Sequence, residues 1–247
     1  MRGVQVFGGW VARGALAGTA AVLLLVGVGI GGAVARDGAV QPVRQVRSVP
    51  VSVKAVALTF DDGPSPTYTP AILDLLKEYG AKATFFVIGR EIMRYPRIVR
   101  QELQAGMEVG NHGMHHVALK GLDPTAIAAD VLPVERAITA ISGNRPTLYR
   151  LPKGVGDARA LRTLSDMGYA VVYWSVDAHD YLPRTAGAIA SQVLREVRPG
   201  SIVIFHDAGG NRQPTVDALK LLLPRLRAEG YQLVTVSQLM ELARNAS

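Results

Sequence analysis

The sequence predicts an α/β fold in which parallel strands alternate with helices. From Lys54 onward, seven apolar runs of strand length are separated by longer segments whose apolar residues recur at helical spacing. Such regular alternation implies a parallel sheet, and seven strands with helices between them can close into a barrel. Glycines also stand where helix C-terminal caps are expected, at positions 80, 106, 143, 168, 200 and 230.

A hydrophobic segment precedes this domain. Residues 1–13 contain Arg2 and Arg13 but no acidic residue, and Thr19 is the sole polar side chain of residues 14–34. A helix of that length spans roughly 30 Å, the thickness of the hydrocarbon core. We therefore expect residues 14–34 to be a transmembrane anchor or a cleaved signal peptide. The distribution of charge predicts a cytoplasmic N-terminus and an extracytoplasmic domain.

Residues 35–53 contain prolines, serines and several arginines without a clear period, which predicts a tether. The domain is then expected over residues 54–243. Its strands are predicted at residues 55–60, 83–89, 107–111, 147–151, 170–176, 201–206 and 231–236. Its helices are predicted at residues 67–79, 90–105, 124–141, 157–167, 185–197 and 215–228.

Composition restricts the chemistry that this domain can perform. With 49% hydrophobic residues in a chain of 247, there is enough apolar material for one large domain. The absence of cysteine excludes disulfides and thiolate metal sites, so a transition metal must be held by histidine and carboxylate. The net charge of +7 is scattered without a basic run, which argues against nucleic-acid binding and suits anionic envelope polymers or lipid head groups.

Polar side chains follow three of the predicted strands. Asp61 and Asp62 follow the first strand, His112 and His116 follow the third, and His206 ends the sixth. The carboxyl ends of parallel strands meet at one rim, where the active sites of α/β proteins lie. One helical turn would place His112 and His116 on one face, and Asp62 would add a third ligand for one divalent ion, with zinc the best fit. The layout is typical of a metal-dependent hydrolase.

Five motifs carry a resemblance to a known family. They are TFDDGP at 59–64, HGMHH at 112–116, RLP at 150–152, DAHDY at 177–181 and IVIFHD at 202–207. In this order they resemble the polysaccharide deacetylase family of carbohydrate esterases, which is built on the NodB homology domain, over about residues 50–243. The resemblance implies a distorted (β/α) barrel of about seven strands. It also implies metal-dependent removal of acetyl groups from a glycan, with the N-acetyl group of N-acetylglucosamine as the expected target.

The resemblance also implies individual roles. Asp61 corresponds to the catalytic base that takes a proton from water, and His206 to the general acid that protonates the departing amine. Arg150 corresponds to the arginine that orients the base. Asp180 corresponds to the aspartate that holds the acid histidine and raises its pKa.

Three further positions correspond to the substrate pocket. The backbone N–H of Lys153 would stabilise the oxyanion, although the family usually has an aromatic residue there. Tyr181 stands where tryptophan is common and Ile204 where leucine is common, both beside the acetyl methyl group. His115 and His179 are expected to be structural, and Asp177 could be as well.

Two other functions stay open from the sequence. A catalytically inactive, membrane-tethered glycan-binding protein would show a broken ligand set. A different metal hydrolase, cutting phosphoesters or cyclic amides, would show a second metal cluster or a phosphate cradle. Neither signature is visible, and the expected partner is an acetylated glycan such as peptidoglycan, chitin oligosaccharide or acetylated xylan.

Overall fold

A computed structural model of the chain describes residues 43–245. In this range the strands are β1 (Gln45–Val46), β2 (Ala55–Asp61), β3 (Ala83–Val87), β4 (Glu108–Asn111), β5 (Leu148–Tyr149), β6 (Ala170–Val172), β7 (Val176–Asp177), β8 (Ile202–His206) and β9 (Gln232–Leu233). The helices are α1 (Tyr68–Glu78), α2 (Gly89–Arg94), α3 (Pro96–Gln104), α4 (Pro124–Ser142), α5 (Ala158–Asp166), α6 (Ala186–Glu196), α7 (Gln213–Ala228) and α8 (Val236–Arg244). A 3₁₀ turn spans Pro152–Gly154.

The sheet is parallel throughout its ladders and curls into part of a barrel. Its strand order is β1-β6-β5-β4-β3-β2-β8-β7, with β9 pairing with β2. Only residues 173–175 separate β6 from β7 in the chain, although these strands lie near opposite ends of the strand order. The short link draws the two edges toward each other, which is consistent with the distorted barrel that the sequence resemblance implies.

The central strand β2 is buried along its whole length, and most of its side chains are apolar. Every residue of β2 is buried, as expected for a strand covered on both faces. Phe60 stacks between Phe85 of β3 and Phe205 of β8, with ring centroids 5.0 and 5.6 Å apart. Outside the sheet, α7 packs against α1 and α6, and α4 packs against α3 and α5.

Side-chain caps define several helix starts. Asp123 accepts a hydrogen bond from Ala126 N at the start of α4, and Asp157 does the same from Ala160 N at α5. Thr235 forms a capping box with Gln238 at the start of α8. These short polar residues fix where each helix begins, and therefore the lengths of the loops at the rim.

Three predicted elements differ from the structure. The strand predicted at 170–176 is two strands, because Tyr173 N bonds to Val46 O on one side whereas Ser175 N bonds to Ile202 O on the other. The helix predicted at 90–105 breaks at Tyr95, whose φ of −131° and ψ of 49° lie outside the helical region, which a residue before proline avoids. The strand predicted at 231–236 covers only β9, and the residues after it form α8, which the sequence did not indicate.

The predicted tether also needs correction at its end. Residues 45–46 form β1 and pair with β6, and Val46 and Val49 are buried in the core. Val49 N donates to Gly200 O at 2.9 Å. The fold therefore includes at least residues 45–49 of the segment that was expected to be a tether, because its valines supply apolar contacts.

The predicted membrane segment at residues 14–34 lies outside the described residues, as do the predicted cytoplasmic residues 1–13. Between residues 43 and 245, no helix has the length and apolar character that crossing a bilayer requires.

Candidate active site

The candidate site lies at the carboxyl ends of the central strands. Asp61 ends β2 and His206 ends β8, and the register of these two strands places them side by side. Asn111, which ends β4, is paired with Tyr149 of β5, so that His112 and Arg150 both emerge at the same rim. Strand order thus brings together residues that are up to about 145 positions apart in the sequence.

A three-residue cluster fits a metal ion. Ligand atoms of Asp62, His112 and His116 all lie within 4.8 Å of one another. Asp62 Oδ1 is 3.6 Å from His112 Nε2 and 3.3 Å from His116 Nε2. This oxygen is buried and has no hydrogen-bond partner within the described range. A buried carboxylate oxygen needs a partner, and a cation bound between the three residues would provide one.

The backbone explains how these ligands converge. Asp62 and His116 have φ values of 76° and 56°, and both lie in turns rather than in regular elements. The expected helical turn from His112 to His116 is therefore wrong, because the chain after β4 is a loop. His112 Nδ1–H donates to Arg150 O at 2.8 Å, which directs Nε2 toward Asp62.

Charge and burial act together on His116. Burial lowers the pKa of His116 and outweighs the opposing effect of Asp62, and His112 and Lys153 contribute smaller effects in the same direction as burial. An imidazole with a lowered pKa is neutral at pH 7, the form that binds a metal. Gly209 closes the other side of the cluster with a φ of 74°, where a Cβ atom would come within 2.8 Å of Asp62 Oδ2.

Asp61 is held by a fully buried arginine. Arg150 Nη1 donates to Asp61 Oδ1 at 2.8 Å and to Thr59 Oγ1 at 2.6 Å. Its Nε and Nη2 donate to the carbonyls of Val172 and Tyr173. Burial lowers the pKa of Arg150, whereas the charge of Asp61 and its hydrogen bond raise it. The second carboxylate oxygen of Asp61 lies 3.8 Å from His112 Nε2, on the side of the metal cluster.

His206 is held by a buried aspartate. His206 Nδ1 and Asp180 Oδ1 are 2.8 Å apart, and Asp180 Oδ2 accepts from His206 N and from Thr215 Oγ1. Burial alone would lower the pKa of His206, but the hydrogen bond and charge of Asp180 outweigh it, so the pKa is raised. Such an imidazole holds a proton at higher pH than a free histidine does.

A cavity of about 300 Å³ lies between these groups. Eight of the ten predicted site residues line it, namely Asp61, Asp62, His112, His116, Lys153, Tyr181, Ile204 and His206. Arg150 and Asp180 lie behind the lining residues and contact them. His115 and His179, which were expected to be structural, do not line the cavity.

Sequence reasoning missed several supporting residues. Trp174 lines the cavity but was assigned to the interior of a strand. Thr59 bonds to Arg150, and Arg212 donates to the carbonyls of Asp180, Ala208 and Gly209. For Arg212 the sequence signal is an arginine two residues after the glycine pair at 209–210, in the segment that follows the His206 motif. Nothing distinguishes Thr59 from an ordinary residue of a β-strand.

A buried carboxyl supports the turn that carries Asp61 and Asp62. Asp207 is completely buried and accepts a hydrogen bond from Thr69 Oγ1, which in turn accepts from Ser65 N. Asp207 N donates to Asp61 O at 3.1 Å. Burial raises the pKa of Asp207 to about 7.

Comparisons with known proteins agree with this geometry. A sequence profile of the polysaccharide deacetylase family matches residues 48–172. The chain is 40% identical over 194 residues to a peptidoglycan-N-acetylglucosamine deacetylase of Bacillus cereus, covering 78% of this chain and 91% of that protein. It is 37% identical to a chitooligosaccharide deacetylase of a Bradyrhizobium strain, covering 75% and 90% of the two proteins.

A solved structure shows the same fold. The crystal structure of the Bc1960 peptidoglycan N-acetylglucosamine deacetylase superposes with a TM-score of 0.78 and 33% identity, covering 80% of this chain and 93% of that one. Both the profile and the relatives include the strands and loops that carry the metal cluster. The chain therefore belongs to the polysaccharide deacetylase family, hydrolases that remove acetyl groups from glycans.

Proposed function

We propose that the protein removes N-acetyl groups from N-acetylglucosamine units of an envelope glycan, with peptidoglycan as the foremost substrate. The observation that carries this proposal is the complete Asp62, His112 and His116 cluster, which lines one cavity together with Asp61 and His206. The names of the relatives support N-acetylglucosamine as the sugar. A protein of net charge +7 is also suited to an anionic wall polymer.

Asp62, His112 and His116 would hold one divalent ion, and zinc fits best because the donors are two imidazoles and a carboxylate without thiolate. When bound, the ion would lower the pKa of the attacking water and polarise the acetyl carbonyl. Arg150 O orients His112 through Nδ1, so the ligand geometry depends on the loop after β5.

Asp61 would be the general base. Its Oδ1 is neutralised by Arg150, and its Oδ2 faces the cluster, so the proton of the attacking water would pass to Oδ2. The contact with Arg150 fixes the orientation of the Asp61 carboxylate. Arg150 is therefore a positioning residue, because it lies behind Asp61 rather than in the cavity.

His206 would be the general acid. Cleavage of an amide requires that a proton reach the departing nitrogen, and the raised pKa of His206 keeps a proton available near neutral pH. Asp180 stabilises the imidazolium through the 2.8 Å contact. The backbone N–H of Lys153 would donate to the oxyanion, while Tyr181 and Ile204 would enclose the acetyl methyl group.

The proposed location is outside the cytoplasmic membrane, with residues 14–34 acting as an anchor or a cleaved signal. A glycan wall is found only on that side. The relatives named as peptidoglycan deacetylases support this location.

The two alternative functions find less support. An inactive glycan-binding protein has no need for a complete base, acid and ligand set. A two-metal hydrolase needs a second cluster, and within residues 43–245 the only group of three or more potential ligands is Asp62, His112 and His116. One ion per chain is therefore proposed.

Acetate release tests the proposal directly. Purified protein would be incubated with peptidoglycan, chitin oligosaccharides and acetylated xylan, with and without a chelator. We expect release from an N-acetylated glycan, loss of release with the chelator and recovery on adding zinc. His116→Ala should abolish release, whereas His115→Ala changes a neighbouring, exposed histidine and should not. Binding without release on all three glycans would favour the inactive alternative.

A further inference from the structure

Lys153 has an unusual place in the cavity. It sits in the 3₁₀ turn Pro152–Gly154 with φ 59° and ψ 11°, the left-handed conformation that lysine rarely adopts. The turn is fixed by hydrogen bonds from Gly154 N to Leu151 O and from Val155 N to Pro152 O. Glycine or asparagine would adopt this conformation with less strain, so the backbone gives no reason for a lysine here.

The charge of Lys153 is also unmatched. Among the residues that line the 300 Å³ cavity, Lys153 is the one lysine or arginine. No carboxylate in the described part of the chain lies within 4.0 Å of its ammonium group, although Asp177 lines the same cavity. The Asp61 carboxylate is paired with Arg150, and Asp62 faces the histidines. Lys153 is exposed, so its ammonium group is available to a ligand.

We propose that Lys153 recognises a carboxylate that the glycan carries on or beside the acetylated sugar, so that the enzyme prefers anionic acetylated glycans to neutral ones. The inference rests on the proposed deacetylase function and adds a specificity to it. An ammonium group at the wall of a cavity attracts an anion without directional requirements, which suits a flexible substituent on a sugar ring.

Two kinds of glycan supply this chemistry. Peptidoglycan strands that have lost their stem peptides carry a free carboxylate on the lactyl ether of the muramic acid next to N-acetylglucosamine. Acetylated glycans with uronic acid units carry one on the sugar ring. The preference should be modest, about two- to five-fold, because exposed ion pairs are weak and screened by salt.

Matched substrate pairs test the proposal. One pair is a peptide-free tetrasaccharide of alternating N-acetylglucosamine and N-acetylmuramic acid, and the same molecule with its lactyl carboxylates converted to methyl amides. The second pair is an acetylated xylan oligosaccharide with glucuronic acid, and its methyl amide. For each pair the ratio of kcat/KM, acid form over amide, is measured at low and high salt.

Three variants isolate the side chain. Lys153→Asn removes the charge with a residue that tolerates the left-handed backbone, Lys153→Arg keeps the charge, and Lys77→Gln removes an exposed charge on α1. We expect a ratio of about two to five for the wild type in at least one pair. It should fall to about one in Lys153→Asn and at high salt, and stay at the wild-type value in Lys153→Arg and Lys77→Gln.

A wild-type ratio of one in both pairs would overturn the proposal, as would an unchanged ratio in Lys153→Asn or an equal fall in Lys77→Gln. Calorimetric binding of the same pairs gives the ratio of affinities without turnover. Acetate release without a carboxylate preference would refute only the role of Lys153. A carboxylate preference in binding without acetate release would refute the deacetylase function and leave the recognition by Lys153 supported.

Discussion

Replacing Arg150 tests whether one guanidinium group supports both the fold and Asp61, the proposed base. Arg150 is completely buried and donates to Thr59 and Asp61 of β2 and to the carbonyls of Val172 and Tyr173. Val172 is the last residue of β6, and Tyr173 begins the short link to β7. The Arg150 side chain therefore connects the central strand β2 to the link between two strands that lie far apart in the sheet. Its planar group also lies 4.2 Å from the ring centre of Phe86.

The cost of losing Arg150 follows from these contacts. Arg150→Met leaves Asp61 buried without its partner, and breaking a buried ion pair costs about 3–5 kcal/mol. That is a large part of the 5–15 kcal/mol that typically stabilises a domain. Arg150→Lys keeps a charge, but one ammonium group cannot reach both β2 and the two carbonyls. Because some of these groups are then left without a partner, we expect the free energy of unfolding to fall by about 1–3 kcal/mol. A base displaced by about 1 Å should slow turnover by about 100-fold.

Urea unfolding and acetate release measure the two effects separately. Arg97→Lys, an exposed position on α3, is the matched control and should resemble the wild type in both assays. The reasoning would be refuted if Arg150→Lys kept the wild-type unfolding midpoint and rate. A lower rate with an unchanged midpoint would restrict the role of Arg150 to orienting Asp61.

The remaining predictions concern the metal, the base, the acid and the location. Metal analysis should give one divalent ion per chain, and His112→Ala should lose it; two ions would indicate another class of hydrolase. Asp61→Asn should keep the ion and lose roughly 10²–10⁴-fold in rate, whereas Asp62→Asn should lose both ion and activity; near wild-type release by Asp61→Asn would exclude it as the base. Asp180→Asn should lower the pKa of His206, because the lost charge favoured the imidazolium, and so move the alkaline limb of the pH-rate profile to lower pH. His206→Ala should abolish that limb and harm amide more than ester substrates; an unmoved limb in Asp180→Asn would separate the two residues. Protease added to intact spheroplasts should digest the domain, and full protection would contradict the proposed topology.

Much of the fold could be predicted because the strands are short apolar runs with polar ends. β2, β3, β4 and β8 lie within the predicted ranges to within one or two residues. The split between β6 and β7 could not be predicted, because the apolar run from Ala170 to Val176 has no glycine or proline to mark it. The break depends on the carbonyls to which the two parts of this run donate hydrogen bonds, those of Val46 and Ile202, which are distant in the sequence. β1 was missed for a different reason: it has only two residues, too few to show an alternating pattern of apolar side chains.

The site was predictable where a residue type is costly to place without a purpose. Carboxylates and histidines at the ends of buried strands need polar partners. The order of the five motifs indicated which of these residues belong to one site. Thr59 and Thr215 escaped notice because threonine is common in strands and near helix starts. Their hydrogen bonds to Arg150 and Asp180 depend on three-dimensional proximity alone.

The adjacent carboxylates Asp61 and Asp62 show how local geometry separates the two roles that we propose for them, base and metal ligand. Asp61 is the last residue of β2 and keeps its register with β8, so its side chain projects toward Arg150. Asp62 has left the sheet with a φ of 76°, which turns its carboxylate toward His112 and His116 instead. One carboxylate is therefore neutralised by an arginine, whereas the other has an oxygen free for a cation. A strand that continued through Asp62 would direct the two side chains to opposite faces of the sheet, and the end of β2 at Asp61 is what lets neighbouring residues serve one site.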